Sequence, residues 1–480
     1  MAKQRTLFYG ESAPQTPKKD GDNPLVPLRR FRGTPGDSID IRFSNTSTTQ
    51  FGGYPLWDMF CHRIGLNQRL ARHVRMERGP WAFTAPELAR FLIDAKALGA
   101  ARLMHVDTLR LDPLLCQCAG MDGLPSGKTL GVFLKQHDNR HLLGLDHLST
   151  WLNNELWKKL RRGAAKTKRE AMDRVVLDYD STTFTVYGKQ EQADRGRSFR
   201  KKDKPGYQPR FAFIGGLGIA VHQELLPQSN NLNKDFLAFH QQALERVPKT
   251  AKVWAVRGDG ALYSEERIEY FESKKKTYAI SASVNAPLQE AINRIPDNAW
   301  EEGQDEYGRI YSVTRIHYKP RTWNTPRTFV ISRRLRSHPT SQLTFFESDK
   351  YKYFAYVTNY RASVFRQFKF AVERCSLESF IKENKKDFHY DSLPAAEFHA
   401  NQAYLAYVTL SRNLSIFFRL LTAPATVNRW TFKTFQHRIL RVCGNLRRNG
   451  RGRILSLPEW WPYQTIFKQV ARRCQAITPL

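Results

Sequence analysis

Acidic side chains are scarce in this chain. Its 45 Asp and Glu stand against 76 Lys and Arg, leaving a formal charge of +31 and a sequence pI near 10.0. Cysteine is rare as well. Six residues (Cys61, Cys116, Cys118, Cys375, Cys443 and Cys474) lie scattered without a CxxC pair. That spacing excludes a disulfide scaffold and a cysteine-based zinc site, and it suggests reduced thiols. No long hydrophobic run is present: the longest, Phe211 to Val221, holds three glycines and is about half the length that spans a bilayer. The start, Met1 to Lys19, lacks the apolar stretch of a secretory signal, and no fixed-period repeat is visible. These absences argue against membrane and secreted classes.

What remains is a chain of 480 residues, too long for one hydrophobic core, so two or three domains are expected. Hydrophobic residues at 41% and aromatics at 12% are enough to build those cores. A surface this basic calls for a polyanion, and nucleic acid is the commonest one. A basic ribosomal or membrane-surface protein is the alternative.

Residues 1–40, rich in Pro, Gly and Lys, read as a flexible basic arm. Residues 41–170 have helical periodicity and read as a helical domain for DNA binding or dimerisation. That block ends in a basic run containing Lys158, Lys159, Arg161 and Arg162, either a DNA contact or a solvated helix face. Strands alternating with helices over 171–284 then point to an α/β layer. Residues 285–357 read as a β-rich insertion. Helices resume over 358–421, and a basic region, expected to be helical, occupies 422–480.

Within the α/β layer, Val175-Val176-Leu177-Asp178-Tyr179-Asp180-Ser181-Thr182 is an apolar strand that carries carboxylates in its own middle. Asp178 and Asp180 share one face, because strand side chains alternate with period two. A buried carboxylate is expensive unless it is paired or bound to metal. A second acid, Asp259, ends the strand Val253-Trp254-Ala255-Val256-Arg257-Gly258, flanked by Gly258 and Gly260. Ligands in α/β sheets bind at such strand ends, although a turn aspartate is the alternative there. The third, Glu378, shares a helix face with Arg374 and Lys385, within about 40° of arc at 100° per residue. Taken alone, that trio is as consistent with an exposed ion pair. Together the three acids suit two Mg²⁺ ions, which need shared oxygen ligands and leave phosphate to complete the charge balance; Mn²⁺ is expected to substitute.

At these residues the chain resembles a bacterial insertion-sequence transposase of the DDE class, and more narrowly the thirteen-eighty insertion-sequence family. The resemblance rests on an ordered set: Asp180-Ser181-Thr182, Tyr187-Gly188-Lys189-Gln190-Glu191, Gly206-Tyr207-Gln208-Pro209, Arg257 to Gly260, Thr358-Asn359, and Arg374, Glu378 and Lys385. Leu109 to Leu115 and Leu124 to Leu130 are similar to that family's helical domain. The set covers roughly residues 50–420. One departure is Ala371, where the family usually has tyrosine.

The resemblance implies an RNase H-like core in 171–284 and 358–421, with Asp180, Asp259 and Glu378 as catalytic metal ligands. It selects Asp180 over Asp178 as the first acid. It also implies cleavage at terminal inverted repeats, then strand transfer into target duplex DNA by a homodimer or higher multimer in the bacterial cytoplasm at the nucleoid. Arg374, Lys385 and Arg257 are expected to contact DNA. Trp300 and Trp323 would stack on an unpaired base, with core packing as the alternative. The rivals are an RNase H-like nuclease or resolvase without strand transfer, and a DNA-binding relic without catalysis.

Two other motifs carry no such weight. Gly123 to Thr129 imitates a P-loop but is one residue short between its glycines and follows helical sequence, and His137 to His141 only imitates a zincin helix.

Overall fold

The computed structural model describes residues 47–77, 82–195, 204–229, 235–304, 310–335, 351–375, 383–450 and 452–480. After a short strand β1 (Thr48–Thr49) come seven helices: α1 (Tyr54–Arg63), α2 (Leu66–His73), α3 (Ala85–Ala97), α4 (Pro113–Ala119), α5 (Gly127–Lys135), α6 (Asn139–Arg162) and α7 (Lys166–Asp173). Local chemistry starts several of them. The Asp112 carboxylate accepts the Leu114 and Leu115 amides behind Pro113, and Ser126 and Asp138 cap α5 and α6. Both imitation motifs are thereby explained as helix caps. Arg90 on α3 donates to Asp94, Asp58 and Asn67, tying that helix to α1 and α2 through a buried polar network.

The next elements build one large sheet from β2 (Arg174–Ser181), β5 (Arg210–Ile214), β6 (Ile219–Glu224), β7 (Lys252–Gly258) and β8 (Thr277–Ala282). A small pair, β3 (Phe184–Thr185) with β4 (Gly206–Tyr207), stands beside it, and α8 (Phe236–Arg246) and α9 (Glu265–Ser273) connect the later strands. After α10 (Ala286–Asn293), strands β9 (Glu301–Gln304), β10 (Ile310–Tyr318), β11 (Arg327–Leu335) and β12 (Tyr351–Thr358) extend the same sheet. Its order among the described residues is β6-β5-β2-β7-β8-β12-β11-β10-β9. The β2–β7 and β7–β8 pairs are parallel, and every other pairing is antiparallel. The segment 285–357 is therefore continuous with the α/β sheet, since β12 pairs with β8 at Ala355↔Ala282 and Val357↔Ile280.

The rest of the chain closes over this sheet with α11 (Val364–Val372), α12 (Phe398–Thr422), a hairpin of β13 (Gly444–Asn449) and β14 (Gly452–Ser456), and α13 (Gln464–Gln475). Alternation along β11 and β12 sends Phe329, Ile331, Ala355 and Val357 into the main core. Val330 and Tyr356 go to the opposite face, where Phe368 and Phe370 of α11 cover them. The main core runs without a break from Phe51 to Cys474. Residues 422–480 differ from the helical expectation: Asn449-Gly450 is turn chemistry, and Leu446 paired with Leu455 gives the flanking segments a strand pattern. The hairpin pairs with β1, so the two ends of the described chain meet. Among the described residues no helix is long and apolar enough to cross a membrane.

Candidate active site

The site begins with the register of two parallel strands. Asp178 of β2 lies opposite Arg257 of β7. Two residues further on, Asp180 lies near the carboxyl end of β2, and Asp259 directly follows the last residue of the neighbouring parallel strand β7, with an extended backbone that opens a short 3-10 turn. Below them Asp178, 0% exposed, takes Arg257 in a fork, Nε to Oδ1 at 2.6 Å and Nη2 to Oδ2 at 2.9 Å. Arg257 also donates through Nη1 to the Phe370 carbonyl at 2.9 Å and to Glu373 at 3.1 Å. Burial pushes the Asp178 carboxyl above its usual range, and the Arg257 hydrogen bond opposes that. Gly215 is obligatory beside this pair, because a Cβ there would lie 2.6 Å from Asp178 Oδ2 and 2.9 Å from Arg257 Nη2.

Asp180 accepts the Ser181 amide at 2.8 Å and holds its other oxygen 3.7 Å from Arg374 Nη1. Asp259 accepts the Ala261 amide at 3.0 Å. Burial pushes its carboxyl upward, offset by that amide and by the charge of Arg374. Arg374 thus acts on both acids. Lys385, in the helical residues 383–387, donates to the Thr183 carbonyl at 3.1 Å, three residues past Asp180. The two flanking cations of the Arg374–Lys385 signature therefore both meet the end of β2. Glu378, between them in sequence, lies outside the described residues. Among the described residues no three His, Cys, Asp or Glu gather as a metal-binding group. Asp180 and Asp259, at the ends of these neighbouring strands, offer only carboxylate oxygens, the donor type that Mg²⁺ and Mn²⁺ prefer.

The family model of the transposase DDE domain, group 1, matches residues 31–479. The chain belongs to that family. No curated protein matches it. Among solved structures it is similar to a piggyBac transposase in a synaptic complex with hairpin DNA, at 11% identity and a TM-score of 0.40, with 83% of each chain covered.

Several residues that sequence reasoning gave to DNA have other partners in this DDE domain. Arg257, 3% exposed, is committed to Asp178, Phe370 and Glu373, and it braces the site from within. Trp323, 6% exposed, packs on Tyr263 and Phe329. Trp300 is half-buried beneath the Arg333 guanidinium, 4.3 Å from its ring centroid. Lys158 donates to Glu155, Lys159 to the Thr478 carbonyl, and Arg161 to Asp173, whereas Arg162 is exposed. Sequence reasoning missed the Asp178–Arg257 fork and the part of Glu373 in it. The buried charge at Asp178 was the signal, but naming its partner requires the strand pairing.

Proposed function

We propose that this chain is a transposase that cleaves duplex DNA at the inverted-repeat ends of an insertion sequence of the thirteen-eighty kind and transfers the freed strands to target DNA. The observation that carries the reading is that Asp180 and Asp259 stand at the carboxyl ends of adjacent parallel strands, with the Arg374 guanidinium 3.7 Å from Asp180 and its charge acting on Asp259. The strand order β6-β5-β2-β7-β8, antiparallel through β2 and parallel beyond it, supports an RNase H-like core with the first acid on its central strand.

Asp180, Asp259 and Glu378 would hold two Mg²⁺ ions. Ions held there would supply Lewis-acid activation of an attacking water or 3′-hydroxyl and charge neutralisation at the departing oxygen. Arg374 grips a substrate phosphate through its planar fork, and Lys385 adds a point charge beside it. The Asp178–Arg257 fork joins β2 to β7, the two strands that end at Asp180 and Asp259. A homodimer or larger multimer holds two element ends together.

The test uses Asp180→Asn, Asp259→Asn and Glu378→Gln in a Mg²⁺-dependent assay of cleavage and strand transfer on DNA carrying the element ends. Each change is expected to lower cleavage at least about 100-fold, while binding of the same DNA stays near the parent level. Undiminished cleavage by any one variant removes that residue from the metal site.

A further inference from the structure

The second sheet, β1-β13-β14, lies apart from the one that carries Asp180. Its base is fixed to the body. β1 pairs with β13 at Thr48↔Asn445 and Thr49↔Gly444, Leu446 is buried, and a Cβ at Gly444 would press on Leu455 and Leu457. Beyond that base the ribbon runs into solvent. Arg447, Arg448, Asn449, Gly450, Gly452, Arg453 and Ile454 are all exposed. The register sets Arg448 directly opposite Arg453 and Arg447 opposite Ile454, and it closes the turn at Asn449↔Gly452. Arg451, inside that turn in sequence, lies outside the described residues.

Like charges directly opposite on a sheet destabilise it, so a folded ribbon gains from an anion between Arg448 and Arg453. Neither of them, nor Arg447, makes an ion pair among the described residues. The chain on either side offers little relief, because the sequence holds no Asp or Glu between Glu397 and Glu459; Asp112, which shares a pocket with Gly444, Asn445 and Ser456 at the base of the ribbon, is already held by the Thr49 hydroxyl.

We infer that the β13–β14 hairpin is a DNA-binding ribbon that enters the major groove of duplex DNA, with Arg447, Arg448 and Arg453 on the phosphates that line it. The inference rests on the proposed function and adds to it the element that grips duplex away from the catalytic acids. The fit is steric as well as electrostatic. A groove about 12 Å wide admits a two-stranded ribbon, and a tight hairpin anchored at its base enters already ordered, with little entropy left to lose. The deep, narrow major groove of A-form RNA does not admit it.

The test is Arg447→Ala/Arg448→Ala/Arg453→Ala in the full chain, with binding to a duplex of about 30 base pairs, some three helical turns, followed by anisotropy across a salt series. The expected result is affinity at least about tenfold weaker and a slope of log K against log salt shallower by about 3, roughly 1 per arginine. An unchanged melting temperature shows that the fold is intact. If the triple variant melts early, Arg447→Gln and Arg453→Gln carry the same comparison singly, each with a slope change of about 1. Equal affinity and slope in parent and variants overturn the inference and leave the proposed function standing, as does stronger competition by duplex RNA than by duplex DNA. A parent protein that binds no duplex DNA at all overturns both.

Discussion

At the scale of single residues, the site depends on one internal ion pair. Period-two alternation put Asp178 and Asp180 on one face, and that was legible in the sequence. The family resemblance singled out Asp180, but the duty of Asp178 was not legible. Asp178 is the buried partner of Arg257, whereas Asp180, with a side chain 12% exposed, is set against Arg374. A charge without its partner in a dry interior is strongly destabilising, so Arg257→Leu is expected to lower unfolding stability by about 3–5 kcal/mol. Asp178→Leu/Arg257→Leu, which removes both charges, should recover most of that loss. Urea unfolding of parent, single and double variants checks it; a double variant no better than the single one would refute the pairing as the cause. Cleavage should fall in both, since this fork joins the two strands that end at Asp180 and Asp259.

Among the elements, the alternation of strands and helices over 171–284 was legible from periodicity, and the strand read at Val253 to Gly258 falls within one residue of β7 (Lys252–Gly258). Their pairing was not. Strand partners are chosen by contacts far apart in sequence, so nothing local indicated that β12 would add to β8 and carry the 285–357 strands into the main sheet. The outer strand β6 shows how such an edge is closed. Asn413 of α12 accepts the Ala220 amide at 3.0 Å and donates to its carbonyl at 2.7 Å, and Asn153 of α6 donates to the same carbonyl at 3.1 Å. All of these groups are buried. Asn413→Leu strands a backbone amide and leaves Asn153 without its neighbour. A loss of about 2–4 kcal/mol in unfolding free energy is expected, with faster amide exchange at Ala220 as the local signature. Exchange that stays as slow as in the parent would rule out this role.

For the molecule as a whole, two buried histidines tie distant elements together. His137, at the end of α5, meets the Tyr407 hydroxyl of α12 at 3.0 Å, and His240 of α8 meets the Tyr179 hydroxyl of β2 at 2.6 Å. Burial pushes each imidazole down to about 4. Because the folded value lies below the ordinary 6.5, the unfolded chain takes up these protons first as pH falls. The stability they contribute is complete above about pH 6.5 and is lost as pH falls toward 4, at about 3 kcal/mol for each fully depressed group. Denaturation midpoints should drop steeply across that window, and His137→Gln or His240→Gln should flatten the drop.

The sequence by itself determined the charge of the molecule, the strand-borne acids and the helical periodicity of 41–170, because these follow from composition and from periodicities a few residues long. Only the tertiary structure decided that Asp180 and Asp259 end neighbouring parallel strands, that Arg257 braces from within, that Trp323 belongs to the core, and that β1 pairs with the distant hairpin. Each of those is a contact between segments far apart in the chain. Such contacts are selected by burial and register across the whole fold, and a local pattern carries no record of them.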